Sequence, residues 1–321
     1  MHPQKIMAWL RLIRWKNLVI IFLTQLLAWW CISIFEEPEV LYPMQFLLVS
    51  LSTISIAAAG YIINDYFDIK IDQQNRPQKV VLGNTIPPKQ AIVAHFVLNI
   101  IALLFAALAA LPSGHPEWLL LQAGCTLLLW FYSTHFKRQY MVGNVVVALL
   151  AALTILVLMV YEPVLYQYMH FPLVTAINGS PRTSPPVWIL GCYAYFAFIL
   201  TWMREIVKDM EDIKGDEAEG CVTMPIKKGI AFSKNFISIL ALFVVVPLAI
   251  ASFTLATHHY IAMSLYVLVV VVSLIAWVVF LHGGRTDRAY HRASSYIKGI
   301  MLLGICSFIF YFLQLILTSG T

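Results

Sequence analysis

Nine stretches of about twenty apolar residues can be drawn along this chain, at 18–35, 44–66, 90–111, 117–136, 142–161, 187–207, 235–257, 260–281 and 296–318. As helix, about twenty residues cross the roughly 30 Å hydrocarbon core of a bilayer, and bonds within each segment satisfy a backbone that lipid cannot. With 60% hydrophobic and 12% charged residues over 321 positions, the chain is too apolar for an ordinary soluble domain. The expectation is an all-α, multi-pass membrane protein with nine transmembrane helices, built as a single domain over 1–321.

Lysine and arginine near helix ends are retained on the cytoplasmic side, which gives an independent check on the spans. With the N-terminus cytoplasmic, Lys5, Arg11, Arg14 and Lys16 lie inside, as do the basic residues of 67–89, 137–141, 205–234 and 282–298. Counting Arg204 at the cytoplasmic end of the sixth span, twenty of the twenty-one basic residues then obey one topology, and only Arg182 falls outside. Glu36, Glu37 and Glu39 occupy the first outer loop, and nine crossings put the C-terminus outside the cell (inner) membrane. The first apolar run reads as a retained helix, because it lacks a small-residue cleavage site and Trp29-Trp30 precedes Cys31. The net charge of +5 thus reflects orientation in the bilayer, and a nucleic-acid partner is not expected. Four cysteines lie within spans and Cys221 in a loop, a scatter that frames neither disulfides nor a zinc site.

One acidic pattern occurs twice, Asp209 repeating Asp65 144 residues later. The first copy is Asp65, Asp68 and Asp72, the second Asp209, Asp212 and Asp216; both follow D-x-x-D-x-x-x-D and both end a long apolar segment on the cytoplasmic side. Steps of three and four residues place side chains on one helical face, so each copy holds three carboxylates in a stripe. Such a stripe repels itself unless a cation intervenes, and magnesium commonly bridges one or two carboxylates to a phosphate. Asn64, four residues before Asp68, adds an amide to the first stripe. Together the copies predict a two-sided clamp for a metal-bound diphosphate, facing a central cavity.

Ten of the sixteen acidic residues lie in 65–72 and 205–219, and no Asp, Glu, Lys or Arg lies in the middle of a span. Ion-coupled carriers place ionisable groups there, which disfavours the alternative of a divalent-cation or lipid-head-group transporter. If the diphosphate caps an isoprenoid, its chain can lie among the helices while the head stays at the polar end. Metal coordination makes diphosphate a better leaving group, and aromatic walls that exclude water suit the allylic cation. The chain has nineteen Phe, fifteen Tyr and nine Trp to supply such walls.

Asn64-Asp65-x-x-Asp68-x-x-x-Asp72 with Asn75-Arg76-Pro77, and Arg204-Glu205-Ile206-Val207-Lys208-Asp209 running into Asp212 and Asp216, resemble the UbiA superfamily of intramembrane prenyltransferases. Arg14-Trp15-Lys16-Asn17 before the first span, Tyr132-Ser133 with Lys137 after the fourth, and Thr223-Met224-Pro225-Ile226 after the second motif extend the resemblance over essentially the whole chain. The resemblance implies a helical bundle around a central cavity opening to the cytoplasmic side. It also implies two Mg2+ ions, and transfer of a prenyl group from an isoprenoid diphosphate to a lipophilic acceptor. Asn64, Asp68, Asp72, Asp212 and Asp216 match the family's metal and diphosphate motifs, while Asp65 and Asp209 stand at positions that vary more. Arg76, Lys137 and Lys208 are implied candidates for phosphate contact, arginine as a fork and lysine as a point charge. Positive-inside retention explains Arg14, Lys137 and Arg138 equally well.

The run Arg204 to Asp216 is most similar to the digeranylgeranylglyceryl phosphate synthase and chlorophyll-synthase-like branch. That implies a geranylgeranyl-type diphosphate and geranylgeranylglycerol phosphate as acceptor; the alternative is an aromatic precursor of quinone or tocopherol. A phosphorylated acceptor would draw on basic residues such as Lys214, Lys227 and Lys228. His135, Tyr66 and Tyr132 lie near the cytoplasmic ends of spans, where an acceptor's proton or the reactive carbon would be, although interfacial aromatics are common there too.

Overall fold

The computed structural model of the chain describes residues 3–35, 43–75, 77–162, 176–177, 180–181 and 185–319. Its helices are α1 (Pro3–Leu12), α2 (Trp15–Phe35), α3 (Pro43–Phe67), α4 (Ile69–Asn75), α5 (Pro88–Ala110), α6 (Leu119–Thr134), α7 (Val142–Tyr161), α8 (Pro185–Ala218), α9 (Met224–Lys228), α10 (Ile230–Thr257), α11 (Ile261–Gly283) and α12 (Asp287–Ser319). Among the described residues the paired strands are two residues each, with Ala176 opposite Pro181 and Ile177 opposite Ser180. The protein is all-α and crosses the membrane repeatedly.

Eight described helices are long and apolar enough to span a bilayer. The expected ninth, 117–136, is α6, only 16 residues long but flanked by 3-10 turns at Pro116–Trp118 and Phe136–Arg138. The larger rise of a 3-10 turn partly makes up the length. The outer-loop residues Glu36, Glu37, Glu39 and Arg182 lie outside the described residues.

Two compact units emerge, one of Met1–Phe136 with Ala152–Ala194, the other of Lys137–Ala151 with Tyr195–Thr321. In the first, α3 is the central helix and packs chiefly on α5, with α2 and α6 also against it. Gly60 permits the approach of α6, since a Cβ there would stand 2.9 Å from Leu129 Cδ1. Pro87 is extended, as a residue before proline tends to be, and Pro88 then starts α5 without wasting an amide hydrogen. The short α1 was not foreseen, because ten residues cannot span a membrane. It buries Ala8 and Leu12 against Ile62, Leu82, Ile86 and Ala91, and so covers the polar end of α3.

In the second unit Met203, Ile206, Val207 and Met210 of α8 pack with Leu240 and Val244 of α10, Leu274 and Trp277 of α11, and Ile297 of α12. Trp277 Nε1 donates to Ala293 O at 2.8 Å, which satisfies the one polar atom of a buried indole. At 34 residues α8 is about 50 Å long, well beyond the hydrocarbon thickness. Its polar last turns, with Asp209 to Asp216, therefore project past the apolar core of the bilayer.

Candidate active site

In the first unit, helical hydrogen bonding continues through the break between α3 and α4. Asp68 N–H donates to Asn64 O at 3.0 Å and Asp72 N–H to Asp68 O at 2.8 Å, so Asn64, Asp68 and Asp72 stand on one face as their spacing predicts. Asn64 Nδ2 donates to Asp68 Oδ2 at 2.8 Å, and Asp68 is only 5% exposed. Asn64 Oδ1 is left buried with no hydrogen-bond partner among the described residues, a desolvated acceptor that they do not compensate.

Asp65 turns to Arg14, whose Nη2 donates to Asp65 Oδ1 at 2.8 Å. Arg14 forms the junction of α1 and α2 with φ of 52°, a left-handed conformation that is costly for a residue with a Cβ. Its guanidinium lies 4.7 Å from the centre of the Tyr61 ring. Tyr61 and Asp65, one turn apart on α3, thus engage the same cation. A small open cleft of about 80 Å³ adjoins this cluster, lined by Arg11, Asp65, Ile69, Asp72 and Val81 among others. Arg76 lies outside the described residues.

In the second unit the whole acidic copy sits on the unbroken α8. Asp216 is buried, and Asp209 and Asp212 are partly buried. Glu205, also buried, accepts from Arg204 Nη1 at 2.9 Å and from Lys208 Nζ at 2.7 Å, so one carboxylate orients two cations. Asn144, near the start of α7, donates through Nδ2 to Asp209 Oδ2 at 2.8 Å. Farther along α8, His291 Nδ1 lies 2.9 Å from Glu211 Oε1, and Lys214 Nζ 3.1 Å from Asp287 Oδ2, tying the motif to the first turns of α12.

Gly220, with φ of 73°, turns the chain out of α8. Val222 N–H then donates to Arg138 O at 2.9 Å, and Lys227 Nζ stands 4.8 Å from the Tyr140 ring. The segment after the second motif is thereby docked on the loop that carries Lys137, which is partly buried in its 3-10 turn. His135 is exposed, with Nδ1 2.7 Å from Thr134 Oγ1. Tyr66 presents its ring edge-on to Phe67 at 5.4 Å.

Several residues of these clusters carry no mark in the sequence. Asn144 and Tyr61 sit in runs that read as ordinary helix, and only packing shows what they touch. Among the described residues, no three His, Cys, Asp or Glu side chains converge into a metal cage. Arg14, Asn64 and Asn144 instead hold Asp65, Asp68 and Asp209 one by one. The donor set still suits a hard cation. Its atoms are carboxylate oxygens with the buried, unpartnered amide oxygen of Asn64 beside them, and magnesium takes only one or two carboxylates when phosphate and water complete its shell.

Comparison with known proteins agrees with the motifs and the fold. The model of the UbiA prenyltransferase family matches residues 19–313. Similar curated proteins include the digeranylgeranylglyceryl phosphate synthase of Hyperthermus butylicus, 28% identical over 321 residues, covering 96% of this chain and 98% of that protein. The synthase of the same name from Thermococcus gammatolerans is 30% identical over 265 residues, covering 82% and 83%. A solved structure from work on digeranylgeranylglyceryl phosphate synthase in membranes superposes with a TM-score of 0.62 at 25% identity, covering 95% of this chain and 98% of that one. A UbiA homolog from Archaeoglobus fulgidus bound to DMAPP and Mg2+ shares the fold, with a TM-score of 0.55 at 16% identity over 94% and 99% of the two chains. With the family model running through both compact units and over most of the sequence, this chain belongs to the UbiA prenyltransferase family and is a multi-pass membrane prenyltransferase.

Proposed function

We propose that this protein transfers a geranylgeranyl-type group from its diphosphate to geranylgeranylglycerol phosphate, with Mg2+ as cofactor. The observation that carries the reading is the recurrence of one acidic motif at the end of a membrane-length apolar helix, with the buried, unpartnered Asn64 Oδ1 beside Asp68 in the first copy. Bound magnesium would neutralise charge on the diphosphate and make it a better leaving group.

Asp68 and Asp72, with Asn64, and Asp212 and Asp216 supply the oxygen atoms for the metal. Lys208, Lys137 and Arg76 meet phosphate oxygens, with Lys208 oriented by Glu205. The apolar helices keep the isoprenoid chain and the reacting carbon away from water. The two compact units act as one prenyltransferase domain, a reading supported by the continuous family match over 19–313. The acceptor is supported by the digeranylgeranylglyceryl phosphate synthases among the relatives. Lys227 and Lys228, exposed after the second motif, offer charge for its phosphate. The N-terminus and both motifs face the cytoplasm, supported by the distribution of basic residues.

The test supplies purified protein with radiolabelled geranylgeranyl diphosphate, magnesium, and either geranylgeranylglycerol phosphate or an aromatic acceptor. Diphosphate release with label on the glycerol lipid is expected, and its loss in Asp68→Ala and Asp212→Ala. Normal turnover by both variants would overturn the site, and label on the aromatic acceptor alone would overturn the substrate.

A further inference from the structure

We infer that the leading aspartate of each motif, Asp65 and Asp209, is a positioning residue that anchors its motif helix to a neighbouring helix, leaving the metal to the later carboxylates. This rests on the proposed reading of Asp68, Asp72, Asp212 and Asp216 as the metal-bearing set. Asp65 and Asp209 occupy the same register of the repeat, and each is held at 2.8 Å by a side chain from elsewhere in its own unit, Arg14 at the junction of α1 and α2 and Asn144 on α7. The tethers differ in chemistry, a guanidinium in one and a neutral amide in the other, yet they act at the same register.

Their placement is also alike. Arg14 is itself the left-handed residue from which α2 starts, and Asn144 follows the left-handed Met141 at the start of α7. Each tether therefore leaves a helix start whose backbone path is already defined by a tight turn. The carboxylate it holds serves as the reference point for the rest of the motif.

Charge argues in the same direction. A guanidinium fixed beside Asp65 repels a divalent cation at that carboxylate, and a charge-assisted hydrogen bond would have to be given up for metal to replace it. A buried acceptor with no hydrogen-bond partner among the described residues is Asn64 Oδ1, on the amide whose nitrogen is bonded to Asp68, so the uncompensated oxygen belongs to the residue paired with a later carboxylate and not to Asp65. Holding such a helix in place is how groups behind the ligands tune a metal site.

The test titrates the purified full chain with Mn2+ in the presence of inorganic diphosphate, read by electron paramagnetic resonance, and measures thermal unfolding without metal. Asp65→Asn and Asp209→Asn keep an oxygen for Arg14 and Asn144, so their Mn2+ midpoints stay within about twofold of the parent, while Asn144→Leu, which removes no carboxylate, raises the midpoint about tenfold. Asn144→Leu also lowers the metal-free unfolding temperature, and Asp209→Asn does not. If Asn144→Leu does not fold, Asn144→Ser, too short to reach Asp209, takes its place. A midpoint shift in Asp209→Asn as large as that in Asp212→Asn overturns the inference. An unchanged midpoint in Asp212→Asn overturns the metal assignment instead, and the anchoring role is then decided by the metal-free unfolding temperatures of Asn144→Leu and Asp209→Asn.

Discussion

Lys208 Nζ lies 2.7 Å from Glu205 Oε2, one turn back along α8, and the other oxygen of that buried carboxylate receives Arg204. Glu205 thus holds two cations in one orientation at the polar end of the helix. Glu205→Ala leaves both partly buried cations without their counterion, and is expected to destabilise the protein by about 3 kcal/mol. Glu205→Gln, which keeps shape and one acceptor, should fold better yet raise KM for the prenyl diphosphate more than it lowers kcat. Thermal unfolding and steady-state kinetics on both variants check this; a lower kcat with unchanged KM would count against an orienting role.

Removal of divalent metal is expected to abolish diphosphate release, because bare carboxylates at Asp68, Asp72, Asp212 and Asp216 repel a polyanionic head group. Chelation followed by graded return of Mg2+ should restore the rate along a saturable curve. Full activity in the chelator would refute the role given to the aspartates.

Lys234 is buried on α10 and donates to the carbonyls of His282, at 3.3 Å, and Gly284, which close the end of α11, with the Tyr290 ring 5.5 Å away. A cation there satisfies carbonyls that the helix end leaves open and complements its dipole. Lys234→Met should cost about 2 kcal/mol, seen as a lower unfolding midpoint in detergent. An unchanged midpoint would show that the carbonyls find other partners.

The close approach at Gly60 makes a packing prediction. Gly60→Val pushes into Leu129, whose Cδ1 stands 2.9 Å from where a Cβ would lie, and should destabilise by about 1–3 kcal/mol. Leu129→Ala in the same chain opens the space, so the double variant is expected to be more stable than the sum of the two single changes. Simple additivity in thermal unfolding would exclude the contact.

Orientation in the membrane can be read by cysteine labelling in a cysteine-free background. Gln78→Cys lies in an expected cytoplasmic loop and His258→Cys in an expected outer turn, both exposed. An impermeant maleimide should label the first only in inverted vesicles and the second only in right-side-out ones. The reverse pattern would invert the assigned topology.

Much of the fold was legible in the chain because membrane insertion depends on composition over some twenty residues, a local quantity. The reading failed where length alone was the guide. It gave no hint of α1, ten residues that cover the end of α3, and α6 proved to be 16 helical residues eked out by 3-10 turns. The stripe of Asn64, Asp68 and Asp72 was equally legible, since helical periodicity decides which residues share a face.

By itself, then, the sequence determined the all-helical membrane architecture, the two acidic motifs and the family to which they belong, all properties of local spacing and composition. Only the tertiary structure decided which distant side chains hold Asp65 and Asp209. Arg14 and Asp65 are 51 positions apart, and Asn144 and Asp209 are 65 apart. At such separations no periodicity relates two residues, and a hydrogen bond between them exists only because the packing of apolar helices brings their polar ends together.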